Sequence, residues 1–252
     1  MSSYYTNLIR QFAVTDFKLK YHGSVLGYFW SLLNPLLIFG TLYLVFSIFM
    51  RFDVENYHLF LLLGIVVWTF FSESTLNSMQ SLYTKSNILK KIYFPRTIVV
   101  IASNFTTFFG FLLNLVVFFI FMFFTGVGLS LQSFLLFFYI LCLFFIALGM
   151  SYILSALNLR FLDVGHIWRI FLQIGFWITP IIYPLSLIPE HYHVYFLLNP
   201  LYLIIEGFRY SLLGMGNVTL LTMFLTFLYT VVIFVLGTLL YKKLSYKFAE
   251  WV

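Results

Sequence analysis

The sequence predicts an all-α membrane protein: six transmembrane helices behind an N-terminal amphipathic interface helix, with re-entrant outer segments between the fifth and sixth span. Three observations carry that prediction. The 63 residues from Thr97 to Leu159 contain no Asp, Glu, Lys or Arg and are mostly Phe, Leu, Ile and Val. A bilayer core is crossed by about 20 apolar helical residues, so this stretch holds two spans joined by the turn Thr125-Gly126-Val127-Gly128. Over the whole chain 62% of residues are hydrophobic and 9% charged, where a soluble domain carries roughly 25% charged residues. Third, the Lys and Arg residues are distributed as an even number of crossings requires.

The elements follow in chain order. Between Tyr4 and Tyr21, the residues Leu8, Phe12, Thr15 and Leu19 fall near one helical face, with Arg10, Asp16, Lys18 and Lys20 largely elsewhere. That is an interfacial amphipathic helix, fit either to anchor in the membrane surface or to dock a partner. Its charges interrupt any apolar core of a cleavable signal peptide, so insertion is expected from the spans themselves. Apolar runs bounded by charge or by Pro and Gly then place spans at about 30–50, 59–81, 98–124, 132–157, 167–185 and 217–240. These are helices, because a transmembrane barrel shows short alternating segments instead of long Phe- and Leu-filled runs. With both termini in the cytoplasm, twelve of the fourteen Lys and Arg residues fall on or beside cytoplasmic segments, leaving only Arg51 and Arg209 outside. The chain thus reads as one membrane domain over 1–252, with a cytoplasmic interface helix in 1–29, the bundle in 30–240 and a cytoplasmic tail in 241–252.

After the fifth span, Pro184 to Glu190 lead into two apolar runs, Val194 to Leu198 and Leu201 to Ile205, each too short to cross and separated by Asn199-Pro200. Non-helical backbone at membrane depth is tolerated where protein or a water-filled cavity surrounds it, which makes this region an outer gate or a structural cap.

Several chemistries are excluded or unsupported. No G-x-x-x-x-G-K-[ST] phosphate loop occurs, so ATP hydrolysis belongs to another subunit, and no cofactor is expected in this chain. His22, His58, His166, His191 and His193 never form an H-E-x-x-H pair, and no metal site is expected. Cys142 lies within an apolar span and reads as packing. The net charge of +6 is spread over the cytoplasmic segments as topology demands and does not indicate nucleic acid. No catalytic residue is assigned: an intramembrane enzyme on polyprenyl-linked sugars would need clustered acids, and Asp53, Glu55, Glu190 and Glu206 are scattered. Glu73 is the one carboxylate well inside a span, beside Ser72, Ser74, Asn77, Ser78 and Gln80. Such a polar face turns from lipid, toward either a transport path or an inter-helix hydrogen-bond cluster, so Glu73, Ser74 and Asn77 are pathway candidates. Aromatic residues make up 23% of the chain; any that line a passage would offer sugar rings a flat, weakly adhesive track.

The stretch Tyr21-His22-Gly23-Ser24-Val25-Leu26-Gly27-Tyr28-Phe29-Trp30, followed by Asn34-Pro35, resembles the opening of the ABC-2 type permeases that export bacterial polysaccharides. Further matches come in order: Tyr93-Phe94-Pro95-Arg96; Arg160 and Asp163 with Val164-Gly165-His166-Ile167; Thr179-Pro180-Ile181-Ile182-Tyr183-Pro184; and Asn199-Pro200 with Glu206-Gly207-Phe208-Arg209. One departure is Leu162, where the family commonly has an Arg directly before the Asp, leaving Arg160 three positions back. The resemblance implies a permease homodimer in the bacterial inner membrane, working with two separate ABC ATPase subunits that bind ATP and Mg. It further implies outward movement of a lipid-diphosphate-linked glycan such as an O-antigen or teichoic acid precursor. A small drug or lipid is the rival cargo. By the same resemblance the loop from Ser86 to Arg96, with Lys90, Lys91, Tyr93, Phe94, Pro95 and Arg96, couples to the ATPase. The basic residues Arg10, Lys18 and Lys20 suit either the substrate's lipid diphosphate or anionic lipid headgroups. The outer gate maps to Pro180, Tyr183, Pro184, Pro189, Asn199, Pro200, Glu206 and Arg209.

Overall fold

Bilayer crossing leaves the backbone no water to bond, and in a computed structural model describing residues 2–20, 23–52, 54–86 and 94–246 every regular element is helical. The helices are α1 (Ser2–Lys20), α2 (Trp30–Tyr43), α3 (Tyr57–Thr84), α4 (Thr97–Phe124), α5 (Leu135–Arg160), α6 (Val164–Ile178), α7 (His193–Phe196), α8 (Pro200–Leu213) and α9 (Leu220–Ser245). A π-helical stretch, Leu44–Phe49, prolongs α2, and a 3-10 turn, Leu131–Phe134, leads into α5. Among the described residues, five helices are long and apolar enough to cross a membrane: Trp30–Phe49, Tyr57–Thr84, Thr97–Phe124, Leu131–Arg160 and Leu220–Ser245.

The expected fifth span departs from that pattern. Helix α6 stops at Ile178, because Thr179 precedes Pro180 and a residue before proline is pushed out of the helical region; Thr179 has ψ 134°. Its 15 residues reach about 22 Å, short of a core about 30 Å thick. The chain nevertheless continues past that point beside α3. Gly165 lies near Met79, the Trp168 Nε1 donates to Thr75 Oγ1 at 3.0 Å, Ile181 lies against Gly64, and the Tyr57 hydroxyl donates to the Ile182 carbonyl at 2.9 Å. Residues 165–182 therefore run antiparallel to α3 from its Met79 level to its first residue, partly as helix and partly as turns.

Helix α3 is the centre of the bundle, with 72% of its most apolar stretch buried against 11–39% for the other four long helices. Its Tyr57 end and middle share one core with α4, α5 and α8, built on residues such as Phe70, Phe111, Tyr139, Ile205 and Phe208. A second, smaller core at the Lys85 end joins Leu82, Phe94, Ile98, Val99, Leu159 and Tyr241, with Leu8, Ile9 and Phe12 of α1 packed on it. At 28 residues each, α3 and α4 are about 42 Å long, roughly 12 Å more than the hydrocarbon core needs. Since α4 ends in the exposed Phe123 and Phe124 just before the Gly126 turn, the surplus projects at the opposite, basic end. Counting about 20 residues back from Phe124 puts the membrane boundary near Phe105, where Thr106 donates to the Ala13 carbonyl of α1 at 3.1 Å. The amphipathic helix runs alongside this end of α4, with Phe12 against Phe94 and Phe17 against Phe109 further along.

Helices α5 and α9 approach most closely at two glycines. A Cβ on Gly237 would collide with the Gly149 carbonyl, and one on Gly149 would stand 2.8 Å from the Ile233 oxygen. Small residues at a membrane helix interface let the backbones meet in this way.

Candidate functional site

At the Tyr57 end, the break after α6 exposes backbone carbonyls that no helix satisfies, and a buried cation meets them. Helix α8 begins at Asn199, whose side-chain oxygen accepts from the backbone N–H groups of Leu201 and Tyr202 at 3.0 and 3.3 Å, with Pro200 in the first turn. The Asn199 Nδ2 donates to Thr179 Oγ1 at 3.0 Å, tying the start of α8 to the end of α6. Three turns on, Arg209 is 0% exposed. Its Nη1 donates to the Pro180 carbonyl at 2.8 Å and to Glu206 Oε1 at 3.0 Å; its Nη2 donates to the Ile181 carbonyl at 2.9 Å and the Phe60 carbonyl at 3.4 Å. The guanidinium also lies over the Phe60 ring, 3.3 Å from its centroid. Space for it comes from Gly64, where a Cβ would stand 3.1 Å from Nη2. Burial pulls the guanidinium below its ordinary pKa, opposed by the Glu206 carboxylate. Arg209 thus pins α8, the 180–181 turn and the start of α3 together.

The remaining gate candidates surround this pin. The Tyr183 hydroxyl donates to the Trp177 and Ile178 carbonyls at 3.0 and 2.9 Å, closing the C-terminal turn of α6. Pro184 and Pro189 precede the short 3-10 turns Leu185–Leu187 and Glu190–Tyr192. The following α7 presents Val194 and Tyr195 outward. Of the two short apolar runs, the first is therefore surface and the second, in α8, is core.

The polar half of α3 divides between two faces. Ser74 is buried and donates to Asn104 Oδ1 at 2.5 Å; Asn104 Nδ2 donates to Ser78 Oγ at 2.7 Å and Ser151 Oγ donates to Asn104 Oδ1 at 3.5 Å. This cluster bonds α3, α4 and α5. Glu73 and Asn77 lie on another side of α3, part-exposed and exposed, facing α1. Glu73 borders a small cavity with Ser31, Thr106, Thr107 and Asn114, and Asn77 a neighbouring one with Asp16, Gln80 and Lys85. Together they form a polar furrow on one flank of α1, closed at its basic end by the Asp16–Lys85 ion pair. Asn104, Asn114 and Ser151 were not among the residues singled out from sequence, although an Asn within an apolar span is itself a signal of inter-helix bonding.

At the basic end, Phe94 is buried and its ring meets Phe12 of α1 with centroids 5.5 Å apart. Arg96 Nη1 donates to the Ser245 carbonyl of α9 at 3.3 Å, and Pro95 is exposed. Lys90, Lys91 and Tyr93 lie outside the described residues, as does the side chain of Lys20. Beside the Leu162 departure, Arg160 stacks on Phe161 at 4.8 Å and Asp163 takes the N-cap of α6, where its charge favours the helix dipole. Arg10 and Lys18 stand on the flank of α1 away from the furrow, beside an apolar groove against α4.

Comparison with known proteins adds what geometry does not. The model of the ABC-2 type transporter family matches residues 7–213. An O-antigen export system permease protein RfbA of Klebsiella pneumoniae is 32% identical over 244 residues, covering 93% of this chain and 91% of the relative. A second from the same organism is 33% identical over 239 residues, and an O-antigen export system permease protein RfbA of Myxococcus xanthus is 29% identical over 186 residues, or 74% of this chain.

Proposed function

The chain belongs to the ABC-2 type transporter family, and from that premise we propose that it forms the membrane path of an ATP-driven exporter that moves a lipid-linked polysaccharide out of the cytoplasm. It is a multi-pass transport subunit of a polysaccharide exporter. In this reading two copies assemble around a central path in the bacterial inner membrane, with two ABC ATPase subunits that carry the ATP and Mg. The cargo is an O-antigen or teichoic-acid type glycan on a lipid diphosphate. The observation that carries it is the similarity to O-antigen export permeases along nine-tenths of both chains. What supports an outside energy source is the basic end: α1, Phe94 and the ends of α3, α5 and α9 share one apolar core on the projecting surplus of α3 and α4. A force applied there reaches α1 and four spans, α3, α4, α5 and α9, at once.

Both termini are cytoplasmic in this reading, with residues 165–182 completing a sixth crossing beside α3. Reporter fusions test it. Those at residue 2 and after residue 252 are expected to report the same, cytoplasmic side, and one at Gly126 the outer side; opposite sides for the two ends would remove the sixth crossing.

Coupling is tested in proteoliposomes holding the permease and its ATPase. Replacing Lys90, Lys91 and Arg96 by Ala is expected to leave ATP turnover in place while glycan export falls roughly 5- to 150-fold, the span of a coupling energy of about 1–3 kcal/mol. Export at the unaltered rate would take the coupling role away from this loop.

A further inference from the structure

We propose that the groove between α1 and α4 is a binding site for an anionic phospholipid of the leaflet at the basic end, and that this lipid helps to seat α1. The groove has a volume of 780 Å³, and both its walls are largely apolar, with two cations on the α1 side. On α1, Arg10, Val14 and Lys18 recur every fourth residue and so form one stripe along its rim. On α4 the wall is Phe105, Phe109 and Leu112, all exposed and on one helical face.

Position along α4 orders the groove. Ala13 and Thr106 meet near the level where the hydrocarbon is expected to begin, so Arg10 stands on the headgroup side of that level and Phe109 and Leu112 on the acyl side. There Phe17 meets Phe109, and the long Lys18 side chain reaches back toward the headgroups. A phosphate held between Arg10 and Lys18, with its acyl chains along the Phe and Leu wall, matches both the charge and the polarity of the groove. The acid of α1 does not oppose it: Asp16 faces the other flank and is paired with Lys85. Nor does the groove suit a glycan. The polar groups that sugars require, Glu73, Asn77 and Gln80, line the furrow on the far side of α1, whereas this groove is almost wholly carbon beyond its two cations and Thr6 and Thr106. The two readings of Arg10 and Lys18 open in the sequence therefore separate, in favour of membrane lipid. Because α1 also touches Phe94 through Phe12, a lipid seated here steadies the helix at the point where the basic end is driven. The lipid site does not depend on the identity of the cargo, and only the assignment of its leaflet rests on the topology proposed above.

The test is native mass spectrometry of the full permease–ATPase complex titrated with phosphatidylglycerol or with phosphatidylcholine of the same chains. The unaltered complex is expected to retain one phosphatidylglycerol per permease, with a preference over phosphatidylcholine of roughly ten- to thirtyfold, as two cations near an anionic headgroup supply. The double substitution R10Q/K18Q is expected to abolish the preference without lowering phosphatidylcholine retention, R10K/K18R to keep it, and Val14→Trp, which fills the groove, to lose both lipids. Equal retention of the two lipids by the unaltered complex, or an undiminished preference in R10Q/K18Q, overturns the proposal. So does displacement of phosphatidylglycerol by an equimolar polyprenyl diphosphate, which would give the groove to the cargo's carrier. A change in permease stoichiometry with lipid retention unaltered would give it to a second copy and also overturn the proposal. Should R10Q/K18Q fail to assemble, R10K/K18R decides, since loss of the preference there is incompatible with a charge-based site.

Discussion

Arg209→Met is expected to destabilise the permease by about 3–5 kcal/mol, the cost of deleting one member of a buried charged network. The expectation rests on what the guanidinium leaves behind. Three backbone carbonyls, those of Phe60, Pro180 and Ile181, lose their donor in a place walled from water, and each such loss costs about 1–3 kcal/mol before relaxation. Glu206 loses its partner too, but its side chain is 16% exposed and can be hydrated. Removing the acid alone, in Glu206→Gln, should therefore cost much less, on the order of 1 kcal/mol for one hydrogen bond. Thermal scans of the purified permease by size-exclusion monodispersity separate the cases. If Glu206→Gln matches Arg209→Met, the ion pair and not the broken backbone is what the arginine serves. Export would fall with the same variant for a mechanical reason, because α8 and the 180–181 turn lose their common anchor.

Gly237→Leu should separate α9 from α5. The first side-chain carbon already meets the Gly149 carbonyl, a backbone atom of the opposing helix that cannot rotate away. Relief requires the helices to move apart, which strips the Tyr152–Tyr241 contact, 5.1 Å between centroids, and the Phe145–Phe234 contact at 5.2 Å. Overpacking by single methylenes costs about 1–3 kcal/mol, and a leucine adds several, so the expected loss exceeds that range. Gly237→Ala should fall within it. Gly40→Ala is the control: its Cβ would meet nothing within 4 Å, and alanine improves helix propensity by about 1 kcal/mol, so the scan should stay level or rise. A tolerated Gly237→Leu would mean that the two backbones do not meet as closely as the structure has them.

Much of this architecture was legible because the bilayer imposes its demand segment by segment. Helix ends for the long spans fall within about five residues of the apolar runs, since charge and hydrocarbon length set them locally. The outer region was legible as broken for the same reason: prolines at 180, 184, 189 and 200 cannot sit within one continuous helix. Ser74 and Glu73 show the limit. They are adjacent in an unbroken polar stretch that reads as one face, and only the neighbouring helices send one into a bond with Asn104 and the other to the furrow beside α1. Arg10 and Lys18 show it again, because a basic stripe does not say whether sugar or lipid lies opposite.

The sequence by itself determined that this protein is helical, spans a membrane several times and places most of its positive charge at one end, since each follows from the transfer cost of a short stretch of chain. Only the tertiary structure decided that α6 stops short and is continued by turns, that a cation is enclosed at the opposite end, and which flank of α1 is greasy. The reason is physical: Arg209 is bound by carbonyls 28, 29 and 149 residues away, and a carbonyl is the same in every residue, so no pattern of side chains announces the bond.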